Sequence, residues 1–349
     1  MMNEDKQSDD AIWGTVVVLN INACGMTCRT LDALRQQSII ERLRIIIVDN
    51  ASTDGSSEIF SSKYPEMLLI RNKTNLGFSG GNNSAFPYCQ GEYVLLLNND
   101  AIPDPFWAEE LIGAVRKYPE AGMCTSRIYA GEGRKQYDNT GLLIFIDGLG
   151  KSRGHMENDR GQYDNEEEVL MASGCASLYL REPLLKLGGF DEDFFAYCED
   201  TELGLKFRSL GYTCRYVPAA VVHHYQSYTM GKISLKKIFL IERNRIWVLL
   251  KLMPLSWILK SPLFTALRLL KSGDAAVHGT GLAGELGHTH SLFRIGFTIL
   301  AAWFKAFLRL PAMIARRKAL RKIRILDDKT WKKLLLSYIA TINDVAFSR

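Results

Sequence analysis

A single carboxylate follows a strand-like apolar run near residue 100. The run reads LLLNND over residues 95–100, and Asp100 is its last residue. A carboxylate directly after a buried strand is well placed for Mg²⁺ or Mn²⁺, which prefer oxygen ligands and leave positions for substrate phosphate. A strand-terminal turn without chemistry is the alternative, because Asn and Asp are common in turns. Asp100 is therefore a candidate metal ligand.

A pair of acidic residues lies at the predicted start of a helix near residue 200. Residues 188–211 read GGFDEDFFAYCEDTELGLKFRSLG, with Glu199 and Asp200 at the helix start and Gly211 at its end. Asp200 is a candidate general base, because the positive end of a helix favours the ionised carboxylate that accepts a hydroxyl proton. Aspartate also caps helices without any chemistry. The two roles are compatible.

A glycine-rich segment and a histidine pair are further candidates. Residues 75–83 read NLGFSGGNN, in which glycines let the backbone approach a ligand, although a plain strand-to-helix turn is the alternative. His223 and His224 follow an apolar run. Neighbouring residues of a strand face opposite sides, so at most one of the two faces a site. That imidazole is a candidate second metal ligand, and a structural histidine is the alternative.

The elements that must position these residues are short apolar strands alternating with helices. The predicted strands cover residues 15–20, 43–49, 67–71 and 93–97. Nearly continuous apolar strands separated by helices indicate a parallel sheet with both faces buried, in an α/β nucleotide-binding fold. Ligands of such folds lie beyond the carboxyl ends of the strands, and Asn20, Asp49 and Asp100 occupy those ends.

Six motifs occur together in one order. They read VDNASTDGS (residues 48–56), NLGFSGGNN (75–83), LLLNND (95–100), SGCASLYLRE (173–182), GGFDEDFFAYCEDTELGLKFRSLGY (188–212) and IERNR (241–245). This set resembles family 2 of the inverting glycosyltransferases, in particular its bacterial rhamnosyltransferase-like branch. The resemblance extends over about residues 14–270.

The resemblance implies a GT-A fold, a Rossmann-like and mostly parallel sheet flanked by helices. It also implies a nucleoside-diphosphate sugar donor, dTDP-rhamnose or a UDP-sugar, with Mg²⁺ or Mn²⁺. The implied catalytic residues are Asp200 and Glu199, the implied metal ligands are Asp100 and His223, and the implied nucleotide-sugar contacts are Leu19, Ile21, Asp49, Asn75, Asn82 and Asn99. In the implied reaction, Asp200 deprotonates a hydroxyl of a glycan or lipid-linked acceptor in polysaccharide synthesis. The pattern departs from the family in one respect, since residues 98–100 carry one carboxylate instead of two.

The charge divides the chain of 349 residues into two regions, and a boundary is predicted near residue 230. Residues 1–230 carry 21 basic and 32 acidic side chains, a net charge of −11, whereas residues 231–349 carry 22 and 6, a net charge of +16. The first region is predicted to be the catalytic domain. The second reads as amphipathic helices that lie on an anionic membrane surface, or that pack on the catalytic domain or a second subunit of a homo-oligomer. Nucleic acid is not expected, because the tail is too apolar.

Seven cysteines without a CxxC pair fit thiols in a reducing compartment, and no signal-peptide pattern is seen. The expected location is therefore the cytoplasm, at the inner face of the inner membrane.

Three other functions are alternatives to the interpretation as a glycosyltransferase. A nucleotidyltransferase would show a basic residue within residues 20–26, which have none. A polyprenyl-phosphate sugar synthase has little need of a base at Asp200, and a non-catalytic GT-A-like subunit would explain the missing second carboxylate.

Overall fold

The computed structural model describes residues 11–133, 135–225, 234–278, 284 and 289–346. The strands are β1 (Gly14–Asn20), β2 (Leu43–Asp49), β3 (Leu68–Arg71), β4 (Tyr93–Asn98), β5 (Ala101–Pro103), β6 (Ala121–Ala130), β7 (Tyr137–Asn139), β8 (Leu142–Ile144), β9 (Gly150–Ser152), β10 (Glu167–Val169), β11 (Ala176–Leu180) and β12 (Thr213–His224). In this part of the chain, ten strands form one sheet in the order β10-β12-β6-β11-β4-β1-β2-β3, with β5 on β12 and β7 on β6. Strands β8 and β9 form a separate pair.

The helices flank this sheet and then continue beyond it. In the α/β body they are α1 (Cys24–Leu34), α2 (Ser56–Lys63), α3 (Gly77–Asn83), α4 (Trp107–Lys117), α5 (Arg181–Lys186) and α6 (Glu199–Ser209). After β12 follow α7 (Leu235–Leu252), α8 (Leu255–Val277), α9 (Leu292–Leu308), α10 (Leu310–Ile323), α11 (Asp328–Ser337) and α12 (Ile342–Ala346). The boundary predicted near residue 230 lies outside the described residues.

Strand β1 is central because both of its faces are covered. Val16 and Val18 pack in one core with Leu31 of α1, whereas Val17 packs in a second core with Phe207 of α6. All three valines are fully buried. A strand covered on both faces needs an uninterrupted apolar run, which explains why β1 shows no polar alternation.

The sheet is parallel only in its first part. Strands β1 to β4 pair in parallel, as predicted, so their carboxyl ends meet at one edge. Strand β11 then joins β4 in the antiparallel sense, and β6 joins β11 in the same way. Strand β12 runs parallel to β6, with a break in register between Val217 and Val221. The sheet is therefore mixed rather than mostly parallel.

The polar, glycine-rich composition of residues 131–168 indicates an insertion over the site, and these residues contribute strands β7 to β10. Its core holds Tyr137, whose ring stacks on that of Tyr129 with centroids 5.3 Å apart. Asp159 accepts hydrogen bonds from both hydroxyl groups. The segment is therefore an ordered layer on the edge of the sheet.

The helices after β12 pack charged side chains inward. Glu242 and Arg245 of α7 and Arg268 of α8 are at most 6% exposed. Arg245 and Arg268 each bind the Glu242 carboxylate, at 2.6 and 2.8 Å, and Arg268 also binds Asp147 at 2.8 Å. Buried charges are stable only when paired in this way.

The outer faces of α8 and α9 are apolar. On α8, Leu259 and Leu270 are 75% and 71% exposed, and on α9, Phe293 and Phe304 are 82% and 67% exposed. No single described helix is long and apolar enough to cross a membrane. Helices α9 and α10 reach the required length and composition only together, and they bend by 60° at their junction.

Candidate active site

The carboxyl ends of β1 and β2 carry a bonded cluster of polar side chains. Asn20 and Asp49 are register partners on these strands, and the Asn20 amide donates to Asp49 Oδ1 at 3.2 Å. The Ser57 hydroxyl donates to Asp49 Oδ2 at 2.5 Å. Because Asp49 is only 3% exposed, its carboxylate is held in one position at the strand ends.

The loop after β1 is tied to the loop after β2. Ile21 is half-buried, and Asn22 after it has a φ of 48° and accepts a hydrogen bond from the Thr53 amide at 2.7 Å. Leu19 lies against Gly81 of α3, where an added Cβ would come within 2.5 Å of Leu19 Cδ1. The glycine thus lets α3 pack directly on the end of β1.

Asn50 joins this cluster to the glycine-rich segment. Its Nδ2 donates to Asn75 Oδ1 at 3.0 Å and to the carbonyl of Gly77 at 3.1 Å. Asn75 is therefore brought to the strand ends, as the sequence suggested. Asn82 is only 2% exposed, and its amide donates to the Phe78 carbonyl within α3 at 2.9 Å. The hydrogen bond of Asn82 thus stays inside its own helix.

Asn99 belongs to the same cluster from the β4 side. Its side-chain amide donates to Thr27 Oγ1 at 3.2 Å, and its main-chain carbonyl accepts a hydrogen bond from Thr30 Oγ1 at 2.8 Å. Both threonines lie on α1. Asn99 therefore locks the turn after β4 onto α1, and this turn places the next residue, Asp100.

Asp100 lies beside a histidine that is oriented by another carboxylate. Its Oδ1 is 3.1 Å from His224 Nε2, and His224 Nδ1 is 2.6 Å from Asp138 Oδ2. Burial disfavours a charged ring, but Cys175 and the carboxylates of Asp100 and Asp138 hold the pKa of His224 well above its usual value. Burial also disfavours the Asp138 carboxylate, but His155 and His224 hold the pKa of Asp138 well below its usual value.

The sequence analysis gave His223 as the second metal ligand beside Asp100. In the structure the histidine beside Asp100 is His224. His223 points to the other side of β12, where its Nε2 is 3.5 Å from Asp104 Oδ1 and its ring stacks on Tyr129 at 5.9 Å. The two histidines were expected to face opposite sides of the strand, and they do. The register break between Val217 and Val221 prevents counting from the start of the strand to decide which one faces Asp100.

The donor set fits a divalent cation. Asp100 offers an oxygen and His224 a ring nitrogen, and Asp138 holds the other ring nitrogen, which is the usual support of a metal-bound histidine. The carboxylates of Asp100 and Asp138 on either side of the ring favour positive charge at this position. Among the described residues, no group of three or more His, Cys, Asp or Glu side chains suits a metal. The set that fits is therefore two protein ligands completed by phosphate oxygens of a donor.

Glu199 is buried and Asp200 is half-buried at the start of α6. Asp200 Oδ1 accepts from the Thr201 amide at 2.6 Å, and Oδ2 accepts from the Gly174 amide at 3.1 Å. Burial nevertheless raises the pKa of Asp200 above its usual value, so burial outweighs the helix end that was expected to favour ionisation. Burial and the charge of Asp200 raise the pKa of Glu199 well above its usual value. The two neighbouring carboxyl groups therefore disfavour being ionised together.

A short segment connects Asp200 with the Asp100 site. The amide of Gly174 donates to Asp200, and the carbonyl of Cys175 accepts from the Asn98 amide at 2.8 Å. A Cβ at Gly174 would lie 3.3 Å from Phe78 of the glycine-rich segment and 3.4 Å from Asp200 Cβ. The general-base candidate, the metal candidate and the glycine-rich segment thus converge on Gly174.

Sequence reasoning missed three contributors to this site. Asp138 lies in the segment read only as an insertion, whereas Gly174 and Asn244 lie inside motifs whose other residues received the attention. Asn244 donates to backbone carbonyls of the loop before α6. The signal for Asn244 was its place in IERNR, a motif that belongs to the resemblance without an assigned role.

Glycosyl transferase family 2 matches residues 15–188 of the chain. The matched residues include the strand ends, Asp100 and Gly174. The chain carries a glycosyltransferase family 2 domain. It is 25% identical over 256 residues to N-acetylglucosaminyl-diphospho-decaprenol L-rhamnosyltransferase of Mycobacterium tuberculosis (strain ATCC 25618 / H37Rv), covering 63% of this chain and 80% of that protein. It is 26% identical over 168 residues to Rhamnosyltransferase WbbL of Escherichia coli (strain K12), covering 43% and 61%.

The family 2 assignment agrees with the three-dimensional comparison. The structure of GalNAc-T7 with UDP, GalNAc and Mn2+ superposes with a TM-score of 0.54 at 15% identity, covering 69% of this chain and 48% of that protein. This similarity concerns the fold, which is GT-A as the sequence predicted. The protein is a glycosyltransferase.

Proposed function

We propose that this glycosyltransferase moves a sugar, with inversion, from a nucleoside diphosphate to a hydroxyl of a glycan or glycolipid. One observation carries the proposal: Gly174 and Cys175 bring the Asp200 carboxylate and the Asp100–His224 pair to the same end of the sheet. A base for the acceptor and a cation site for the leaving diphosphate are the two groups that a direct displacement needs.

Each group has a distinct task in this proposal. Asp200 accepts the proton of the acceptor hydroxyl while that oxygen attacks the anomeric carbon. Asp100 and His224 would hold Mg²⁺ or Mn²⁺, which stabilises the negative charge of the departing diphosphate. Asp49, Asn50 and Asn75 form the rigid polar edge against which the nucleoside would lie.

Substitution of Asp200 tests the assignment of the base. Asp200→Asn keeps the shape of the side chain and one of the two hydrogen bonds that the carboxylate accepts, but it cannot accept the proton. Transfer should fall by about 10³-fold, within the range of general-base catalysis, whereas calorimetric binding of the donor should persist. Near-normal turnover by Asp200→Asn would remove the base from the mechanism.

The donor that we propose is a nucleoside diphosphate of L-rhamnose, in first place dTDP-rhamnose. Support comes from the relatives, because both proteins compared above are named rhamnosyltransferases. UDP-sugars are the next choice. A thermal-shift screen over nucleotide sugars, each with Mg²⁺, with Mn²⁺ and with a chelator, ranks the donors. A largest shift with another sugar would refute the rhamnose assignment and leave the transferase assignment standing.

The acceptor that we propose is lipid-linked, and it is met at the cytoplasmic face of the inner membrane. The apolar outer faces of α8 and α9 support this, together with exposed basic residues on α9 and α10, namely Arg294, Lys305, Lys318, Arg321 and Lys322. Exposed aromatic side chains beside basic ones are typical of helices that lie in a membrane interface. Packing against a second subunit is the competing use of the same faces.

Vesicle binding separates these two uses. The full chain should sediment with vesicles rich in phosphatidylglycerol and remain in solution with phosphatidylcholine alone, because the helices carry positive charge. If the chain binds neither kind of vesicle and elutes as a dimer in gel filtration, membrane attachment is refuted in favour of a homo-oligomer.

A further inference from the structure

The loop that leads into the catalytic helix has an unusual backbone. Phe195, Tyr197 and Cys198 have φ values of 65°, 70° and 64°, and none of them is glycine. Left-handed backbone is uncommon for such residues and persists only where the surroundings hold it. Asp200 follows two residues after Cys198, so the shape of this loop decides where the Asp200 carboxylate points.

Asn244 of α7 holds one side of the loop. Its side chain is completely buried. The Nδ2 amide donates to the carbonyls of Phe194, Ala196 and Tyr197 at 2.9, 2.8 and 2.7 Å. Buried carbonyls outside regular structure require donors, and the two N–H groups of this amide are shared among the three; Arg243 Nη2 also donates to the Phe194 carbonyl at 2.9 Å.

The glycine-rich segment holds the other side of the loop. The Phe195 carbonyl does not bind Asn244 and accepts a hydrogen bond from the Ser79 amide at 3.1 Å. Gly77 makes room for this contact, since a Cβ there would lie 2.3 Å from the Phe195 carbonyl oxygen. The loop is therefore clamped between the donor side of the site and α7.

Ion pairs from the C-terminal helices hold the segment just before the loop. Lys251 of α7 binds Asp191 at 2.7 Å, and Arg316 of α10 binds Asp193 at 2.6 Å. Lys251 also pairs with Glu202 of α6. These contacts come from the same region as Asn244, and together they attach the start of α6 to the helices after β12.

We propose that Asn244 is a positioning residue of the transfer reaction, which acts by fixing the loop of residues 194–198 and thereby the direction of the Asp200 carboxylate. The proposal rests on the proposed function, in which Asp200 is the base. It makes α7 a part of the catalytic apparatus and not only a support for membrane attachment. Asn244 does not touch the reacting atoms, so its loss should affect turnover and not donor binding.

Two substitutions at this position separate its donor groups from its size. Asn244→Asp has the same shape but offers carboxylate oxygens to the three carbonyls, and it should lower kcat by about 100-fold, as a displaced catalytic group does. Asn244→Gln keeps the amide and should recover part of that loss. The dissociation constant of the donor, measured by calorimetry, should remain unchanged in both variants.

A matched control distinguishes positioning from general destabilisation. Leu335→Ala removes a fully buried side chain of α11, in the same helical region, and should lower the melting temperature without lowering kcat. Hydrogen exchange of residues 194–198 should accelerate in Asn244→Asp and not in Leu335→Ala. Equal kcat losses in the two variants, or an unchanged kcat in Asn244→Asp, would overturn the proposal. If Asn244→Asp does not fold, full activity of a folded Asn244→Ala overturns it equally.

Asp200→Asn, assayed in parallel, keeps the two proposals apart. An inactive Asp200→Asn beside a fully active Asn244→Asp refutes only the positioning role. An active Asp200→Asn refutes the base assignment itself.

Discussion

The α/β body and the helices after β12 differ in the side chains that they expose and in the charges that they bury. In the body, fully buried apolar residues such as Val17 and Leu95 fill the interior, and polar groups gather at the strand ends. In the helices, the buried Glu242 and Arg245 pair inside, whereas Phe293 and Leu259 are 82% and 75% exposed. Both regions have apolar cores, but the helices also expose large apolar side chains and bury this network of ion pairs.

The difference shows that the C-terminal helices have two distinct faces. Their inner face combines apolar packing, which includes Trp247 and Leu335, with polar contacts to the body: Asn244 binds the loop before α6, and Arg316 binds Asp193. Buried ion pairs add little net stability compared with apolar packing, but they tolerate few alternative arrangements when every partner is satisfied. The outer face is apolar, as the proposed contact with a membrane requires.

The largest effect should come from the inner face. Glu242→Ala leaves Arg245 and Arg268 buried with Asp147 as their remaining carboxylate partner, so the free energy of unfolding should fall by about 3–5 kcal/mol. Chemical denaturation measures this change. Glu182→Ala, which removes an exposed ion pair of the body with Lys186, is the control and should show no measurable change. Similar losses in both variants would contradict the contrast between the two regions.

Within the body, two adjacent histidines should behave differently. His224→Ala removes the ring between Asp100 and Asp138 and should lower metal-stimulated transfer by about 100-fold. His223→Ala removes a ring that faces Tyr129 on the other side of β12 and should leave that stimulation nearly unchanged. Titration of transfer rate with Mn²⁺ measures both. A greater loss in His223→Ala would restore the original assignment.

The outer face should affect location and not chemistry. Phe297 and Phe304 of α9 are 66% and 67% exposed. The double variant Phe297→Ser and Phe304→Ser should weaken binding to phosphatidylglycerol vesicles by about 30-fold, from roughly 1 kcal/mol for each ring partly withdrawn from water. Phe106→Ser, on the body at 59% exposure, is the matched control. Equal binding by all three proteins would show that α9 does not meet the membrane.

The smallest effect is a displaced pH profile. Because burial raises the pKa of Asp200, its carboxyl stays protonated to a higher pH than an ordinary aspartate. The base is lost as the pH falls through this raised pKa, and kcat/KM should then decline by about tenfold per pH unit. The acid limb should therefore lie above 3.8, the ordinary value. A limb at or below that value would show that the helix end outweighs burial.

Local sequence determined four strands, β1 to β4, and the identity of the candidate groups. Uninterrupted apolar runs have few alternatives to buried strands, so β1, β2 and β4 lie within a residue or two of their predicted bounds. Polar residues at the ends of parallel strands must meet at one edge, which is why Asn20 and Asp49 were expected near each other. These conclusions depend on neighbours in sequence or in the sheet.

Tertiary structure decided what depends on distant partners. A register break in β12 turned His224 instead of His223 toward Asp100, and no local pattern records that break. The orienting carboxylate, Asp138, comes from a segment whose composition indicates only an exposed loop. Asn244 reaches the loop before α6 across nearly 50 residues, because a buried carbonyl takes whichever donor the packing brings to it. Residue types thus identified the chemistry, and long-range packing chose which residues perform it.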